Sequence, residues 1–231
     1  KAHAKIARQV ASEGMILLEN KNKTLPFGQS IKNVAVFGAN AYDFISSGTG
    51  SGDVNAAYTI SLIKGLQNAK YKVNDKLKEI YKNYIKTTEK NQARPENDLT
   101  VLLGGKVPVP EMPLKQKIKK NMAKTSDIAL ITIGRNAGEG EDRKAETGDF
   151  YLTSIEKAMI KNVCEAFHAE GKKTIVILNI AGVIETASWK DSPDAILCAW
   201  LPGQEAGDAV VERPLRFGQP EHFIHVVYQS R

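Results

Sequence analysis

Cysteine, histidine and long apolar runs are all scarce in this sequence of 231 residues. The two cysteines, Cys164 and Cys198, lie in apolar segments, which favours buried thiols over a disulfide or a metal ligand. The four histidines show no HxxxH or Cys–His spacing, so no metal site is expected. No apolar run approaches the roughly 20 residues of a membrane span, and no signal peptide is visible. The sequence therefore predicts no disulfide, no metal centre and no membrane partner.

The overall composition is that of a soluble globular protein, with 42% hydrophobic and 25% charged residues. The formal net charge of +6 does not by itself indicate a nucleic-acid partner. The lysines are spread along helical segments and mixed with acidic residues, and no basic patch contains interleaved aromatics. Nucleic-acid binding is therefore not expected. Because the chain begins at Lys1, already inside a helical pattern, we expect a fragment or a processed piece of a longer protein.

Hydrophobic periodicity predicts strands and helices that alternate along the chain. Continuous apolar runs, typical of strands buried on both faces, occur at residues 34–38, 127–134, 174–180 and 195–200. Helical patterns occur at residues 2–19, 59–69, 75–90, 114–124 and 153–170, with a further helix starting in PGQEAGDAVV. This alternation predicts an α/β fold with a mostly parallel sheet covered by helices. In such folds, ligands bind beyond the carboxyl ends of the strands.

Two loops leave predicted strands at this edge, and the first of them is the glycine-rich SSGTGSGDV. It does not match a phosphate-binding P-loop, because no lysine follows the glycines. Gly48, Gly50 and Gly52 also give GxGxG in place of the dinucleotide pattern GxGxxG. Nucleotide binding is therefore disfavoured. The segment is either a tight turn or a loop that brings its backbone and the Ser51 hydroxyl close to a polar ligand such as a sugar.

The second loop, RNAGEGEDR at residues 135–143, places Glu139 between two glycines. A carboxyl group presented in this way has the chemistry of a general acid if its surroundings raise its pKa. Glu141 and Asp142 supply negative charge nearby, while the arginines at either end of the loop oppose it. The same residues also fit an ordinary solvated turn. Local chemistry alone leaves both interpretations open.

Seven segments in order give a far more specific signal than any one motif. They are ARQVASEGMILLENKNKTLPF, VAVFGANA, SGTGSGDV, GEGEDR, GDFYLT, FHAEGKKTIVILN and LPGQEAG, and they extend from about His3 to Val211. This set resembles the second, C-terminal domain of glycoside hydrolase family 3 β-glucosidases, and especially the thermophilic bacterial type.

The resemblance implies an α/β sandwich of about six strands that packs against a (β/α)8-type barrel domain. It implies that Glu139 is the catalytic acid/base and that Ser51 contacts the sugar of the substrate, a β-glucoside or oligosaccharide. Asp53, Asp142 and Arg143 flank these motifs, and either orient them or only stabilise the loops. The chemistry implied is that of a retaining β-glucosidase, in which an aspartate of the barrel is the nucleophile.

Neither the barrel domain nor its nucleophile is among these residues, whether the barrel is encoded before or after them. We therefore expect the isolated chain to be inactive and to have no metal or organic cofactor. The alternative is a non-catalytic carbohydrate-binding or interaction module. The preferred β-glycoside and the compartment are not determined, although the resemblance favours a bacterial and cytoplasmic protein. The surface that the barrel covers is expected to be apolar, so self-association is also expected.

Four aromatic residues near these motifs are candidates for sugar platforms, but we expect core positions for all of them: Phe150, Tyr151, Trp189 and Trp200.

Residues 212–231 depart from the resemblance, since the family usually continues with Asn-Pro-Ser-Gly. One set of codons for Glu212 to Glu221, read one base later, encodes Asn-Val-Leu-Ser-Gly-Ser-Val-Asn-Pro-Ser. Our hypothesis is a single-base frameshift near Val211 that produces a divergent tail. The alternative is a genuine variant of the family.

Overall fold

The computed structural model describes residues 2–52, 56–92, 107–138 and 143–217. Four of the residues singled out in the sequence, Asp53, Glu139, Glu141 and Asp142, lie outside this part of the chain, as does the tail from residue 218. The backbone of Ser51 is described, but its side chain is not. In the described part of the chain, no helix combines the length and apolar character needed to cross a bilayer.

Six strands and six α-helices make up the described structure. The strands are β1 (Ile16–Asn20), β2 (Asn33–Phe37), β3 (Lys72–Val73), β4 (Ile128–Arg135), β5 (Lys173–Ile180) and β6 (Ala195–Cys198). The helices are α1 (Ala2–Glu13), α2 (Leu62–Asn68), α3 (Asp75–Asn91), α4 (Gln116–Thr125), α5 (Ser154–His168) and α6 (Ala206–Val210). Helix α6 continues into a π-helical segment, Val211–Phe217.

The strands form one sheet in the order β1-β6-β5-β4-β2-β3. Every neighbouring pair is parallel except β1 with β6, which is antiparallel. The longest ladder joins all eight residues of β4 to β5. The predicted α/β class with a mostly parallel sheet of about six strands is confirmed.

Alternate residues of each central strand point to opposite faces, and each face is covered by its own helices. One face packs on α3, α4 and α5 and includes Phe37, Ile131 and Phe167. The other packs on α2 and α6 and includes Val36 and Leu130. The strands are apolar on both faces because both faces are covered, which explains the continuous apolar runs.

The first helix is shorter than predicted. The pattern at residues 2–19 predicts one helix, but α1 ends at Glu13 and Ile16–Asn20 forms β1. The prediction was wrong because the apolar residues Met15 to Leu18 suit either element, and pairing with β6 decides for the strand. The other predicted strands and helices are confirmed with small differences at their ends, and both cysteines are buried free thiols.

Asp194 connects three elements at the amino-terminal edge of the sheet. Its Oδ2 accepts hydrogen bonds from the backbone N and the Oγ1 of Thr174, at 2.8 and 3.1 Å, and lies 2.7 Å from His168 Nε2. Its Oδ1 accepts a bond of 2.8 Å from Lys173 Nζ. Burial alone would raise the pKa of Asp194, but these donors hold it below the ordinary value. The buried carboxylate thus fastens α5 and β5 to the residue that precedes β6.

We predict that Asp194→Asn destabilises the fold by about 2 kcal/mol at neutral pH, because it removes the charge that four donors share. Since folding lowers this pKa, its contribution is present above the unfolded-state pKa of about 3.9 and is lost as the pH falls through the folded value. Urea unfolding of both proteins at several pH values measures the difference, which should shrink in acid. Asp191→Asn, at an exposed position earlier in the same loop, is the control and should change stability by under about 0.5 kcal/mol. Equal effects at both positions would contradict the assignment.

Candidate active site

The strand order reverses direction between β2 and β4. The chain leaves β2 for β3 on one side, then returns to β4 on the other side and continues to β5 and β6. Loops that leave the carboxyl ends of two such strands diverge to opposite faces, and ligands of open α/β sheets bind in the crevice that results. The two loops singled out in the sequence follow these two strands.

A direct backbone contact joins the two loops. The Thr49 N–H donates a hydrogen bond of 3.1 Å to the Ala137 carbonyl, and Thr49 forms a parallel β-bridge with Gly138. A Cβ atom at position 138 would lie 2.0 Å from Thr49 Oγ1, so any residue other than glycine requires the Thr49 side chain to move. Gly138 immediately precedes Glu139, and Thr49 is two residues before Ser51, which belongs to a 3₁₀ turn, Gly50–Gly52. The contact therefore sets the spacing between the backbone segments that lead to these two residues.

Asn179 fixes the first loop from below. This fully buried residue of β5 accepts a bond of 2.7 Å from the Ile45 N–H and donates one of 2.9 Å to the Ile45 carbonyl. It also donates a bond of 2.7 Å to the Trp200 carbonyl and accepts one of 3.1 Å from Asn40 Nδ2. One amide thereby uses its donors and acceptor to join the loops that follow β2 and β6.

The loop after β6 makes a further contact with the same segment, because the Gly203 N–H donates a bond of 2.9 Å to the Ser46 carbonyl. The loop of residues 38–52 is thus held by groups from β4, β5 and β6 or from the loops that follow them.

The second loop starts from a buried ion pair. Arg135, the last residue of β4, donates two parallel bonds of 2.7 Å to the carboxylate of Glu156 in α5. Glu156 also completes a capping box with Thr153 at the start of α5. Bidentate, nearly buried pairs of this kind fix geometry strongly, because two parallel charge-assisted bonds allow only one relative orientation of the two groups. The direction in which the loop leaves β4 is therefore set by α5.

Arg143 is the first described residue after Glu139 in this loop. Its guanidinium forms an ion pair with Asp149 and donates hydrogen bonds to the carbonyls of Asn136 and Ala181. Burial alone would raise the pKa of Asp149, but the bond from Arg143 keeps it below the ordinary value. Arg143 thus brings the end of the loop back to its beginning and to the residue after β5.

The aromatic residues near the site differ in exposure. Trp189 is in the core as expected, while Phe150 and Trp200 are half-buried. The expectation of a core position for Tyr151 was wrong, because its side chain is 39% exposed beside Phe150. Val183, in the chain that follows β5, is exposed as well. The Glu185 N–H, two residues further on, donates a hydrogen bond to the Phe150 carbonyl. Apolar surface therefore borders the site.

A cavity of about 600 Å³ lies against α1, and its lining also includes Tyr58, Ile60 and Glu205. Arg8 lines it and pairs with Glu205, Asp208 and Glu212. These ion pairs attach α1 to α6 and to the segment that follows it, and Glu205 also accepts a hydrogen bond from the Tyr58 hydroxyl. The described residues contain no group of three His, Cys, Asp or Glu side chains arranged to hold a metal ion.

The family of the chain follows from a sequence model. Residues 15–213 match the model of the glycosyl hydrolase family 3 C-terminal domain. The chain belongs to glycoside hydrolase family 3.

Relatives of this family member are β-glucosidases. The chain is 32% identical to β-glucosidase A of Butyrivibrio fibrisolvens, with 89% of this chain and 26% of the relative covered. It is 34% identical to a β-glucosidase of Ruminococcus albus, with 87% and 20% covered. The structure of β-glucosidase 3B from Thermotoga neapolitana in complex with glucose matches with a TM-score of 0.83 and 38% identity, over 91% of this chain and 28% of that one. The chain thus spans about a quarter of the length of these relatives.

Several residues that shape the candidate site could not be identified from the sequence. Asn179 acts through partners far away in the chain, so its role has no local pattern. Glu156 has a local signal for its capping role in the spacing Thr153–Glu156, but none for its pair with Arg135. The one available signal for Asn179 was a polar side chain in the apolar run TIVILNI. Thr49 lies inside the recognised glycine loop, but only the structure shows that its backbone pairs with Ala137.

We predict that Gly138→Ala separates the two loops, because the added methyl group overlaps Thr49. The Thr49 amide should then exchange with solvent about tenfold faster or more, and stability should fall by about 1–3 kcal/mol. Hydrogen exchange followed by NMR measures both. Gly52→Ala is the matched control, since nothing lies within 4 Å of a Cβ atom at that position. Unchanged exchange of the Thr49 amide in Gly138→Ala would show that the loop contact does not depend on this glycine.

Proposed function

We propose that this chain is the acid/base-carrying domain of a retaining β-glucosidase that hydrolyses terminal β-linked glucosyl residues. Glu139 is the proton donor and acceptor, and Ser51 contacts the sugar. The observation that carries the proposal is the bridge between Thr49 and the segment Ala137–Gly138, which joins the loops of the two residues at the reversal point of the sheet. The β-glucosidase names of the relatives support the substrate class.

The nucleophile belongs to a (β/α)8-type barrel domain that is not among these residues. A retaining glycosidase needs two carboxyl groups about 5–5.5 Å apart on either side of the scissile bond. A partner domain that supplies the second group must sit against the carboxyl edge of the sheet. Exposed Tyr151 and Val183 lie near that edge, and support this surface as the one that the barrel covers.

The reaction has two steps. A carboxylate of the barrel attacks the anomeric carbon while protonated Glu139 gives its proton to the leaving oxygen. Deprotonated Glu139 then takes a proton from water, which attacks the same carbon and releases the sugar with retained configuration. Arg143, with Asp149 as its ion-pair partner, holds the loop in place without entering the chemistry. Asp53 and Asp142 are proposed to support the same loops.

We predict that this chain alone does not hydrolyse phenyl β-glucoside, and that adding the separately produced barrel domain of the same enzyme restores turnover. In the restored enzyme, Glu139→Gln should lower kcat by about 10²–10⁴, and the loss in the first step should be greatest for substrates with poor leaving groups. Comparing phenyl with dinitrophenyl β-glucoside measures this dependence.

Glu146→Gln, an exposed carboxylate after the same loop, is the control and should retain activity. Equal losses for both aryl groups would contradict the acid role of Glu139. Sugar binding that calorimetry detects in an assembly without any Glu139-dependent turnover would favour the alternative of a carbohydrate-binding module.

A further inference from the structure

The carboxyl group of a half-buried glutamate lies beneath the turn that begins the 38–52 loop. Glu111 belongs to the segment between α3 and α4, and its Oε2 accepts a bond of 2.8 Å from the Ala39 N–H. Its Oε1 accepts bonds of 3.0 Å from the Tyr81 hydroxyl and from the Met112 N–H. The Tyr81 oxygen in turn accepts a bond of 2.9 Å from the Gly38 N–H. Two consecutive amides of the turn therefore depend on Glu111, one directly and one through Tyr81.

The N–H groups of Gly38 and Ala39 lie beyond the end of β2 and donate to side chains instead of to a neighbouring strand. The chain leaves β2 at Gly38 with φ at 101°, which turns it away from the ladder with β4. A Cβ atom at Gly38 would lie 2.3 Å from Thr132 Oγ1, so the backbone is pressed against β4. A buried N–H without an acceptor costs about 1–3 kcal/mol. Glu111 and Tyr81 supply the acceptors that allow the chain to turn here.

The surroundings of Glu111 contain no compensating positive charge at ion-pair distance among the described residues. Tyr81 of α3 is fully buried, and Tyr42 stacks on it with ring centroids 5.1 Å apart. Glu156 of α5 adds negative charge, although its own partner is Arg135. Burial raises the pKa of Glu111 to about 7, against the three donors, which lower it.

We propose that Glu111 is a positioning residue for the candidate active site, which holds the Gly38–Ala39 turn and through it the loop that leads to Thr49 and Ser51. The proposal rests on the proposed function in one respect only, that this loop is part of the site. The hydrogen bonds of Glu111 go to the backbone of Ala39 and Met112 and to the Tyr81 hydroxyl, so its action on the site loop is through the backbone.

The protonation of Glu111 should change this hold. An ionised carboxylate accepts charge-assisted hydrogen bonds, which are about twice as strong as bonds to a neutral group. The turn is therefore held most tightly above about pH 7, and less tightly below it. The contribution of Glu111 to the stability of the fold has the opposite dependence on pH. Because folding raises this pKa, the contribution of the group is full below the unfolded-state value of about 4.3 and is lost as the pH rises through about 7.

The experiment is an NMR titration of this chain between about pH 5 and pH 9, which needs neither sugar nor the barrel domain. The amide shifts of Ala39 and Gly38 should titrate with a midpoint near 7, and the Thr49 amide should follow the same midpoint. Glu111→Gln should abolish this titration at all three amides, whereas Glu165→Gln, an exposed residue of α5, should leave it unchanged.

Two results would overturn the proposal, and both can be read from the unmodified chain even if Glu111→Gln does not fold. One is the absence of a midpoint near 7 at Ala39. The other is a titration at Ala39 that does not reach Thr49, which would make Glu111 a local group without influence on the site loop. Neither result bears on catalysis by Glu139, so failure here is distinguishable from failure of the proposed function.

Discussion

The contact of the Thr49 amide with the Ala137 carbonyl is the constraint on which the candidate site depends. It brings together loops that leave β2 and β4, the two adjacent strands between which the sheet reverses its order. Loops at such a point diverge by default, because the following elements cover opposite faces. Here the backbones stay close enough to form a hydrogen bond, and Gly138 leaves room for the Thr49 side chain beside that bond.

Polar groups beneath the loops hold this arrangement in place through their hydrogen bonds. Asn179 uses four hydrogen bonds to tie Ile45, Trp200 and Asn40 together beneath the loops. Arg135 and Glu156 do the same at the start of the loop after β4. Groups of this kind add little net stability when fully paired, but they cost much when one partner is lost. Their effect is to select one loop geometry, which suits a site whose second half belongs to another domain.

The sequence predicted the elements of this fold better than the contacts between them. The strands at 128–135 and 173–180 were predictable because they are buried on both faces and so read as unbroken apolar runs. Strand β1 was not, since Ile16 to Leu18 continue a helical spacing and only the distant β6 makes them a strand. Asn179 and Glu111 were unpredictable for a related reason. Their partners are tens of residues away, and a polar side chain gives no sign of its burial until the chain is folded.

The acid/base assignment of Glu139 came from the resemblance to glycoside hydrolase family 3, to which the chain is now shown to belong. Local chemistry alone had left the interpretation as a solvated turn open. The described residues on either side of Glu139 are Gly138 and Arg143. Their contacts with Thr49 and with the Asn136 carbonyl fix the two points at which the loop leaves the sheet and returns to it.

The most direct test of the acid/base role is azide rescue of Glu139→Ala in the complete enzyme with dinitrophenyl β-glucoside. This substrate forms the glycosyl-enzyme without acid assistance, and the missing base then leaves water a poor nucleophile. Azide needs no base, so the account predicts restored turnover with β-glucosyl azide as the product. Turnover that azide does not accelerate, or an azide product of inverted configuration, would contradict the assignment of Glu139 as the acid/base of a retaining enzyme.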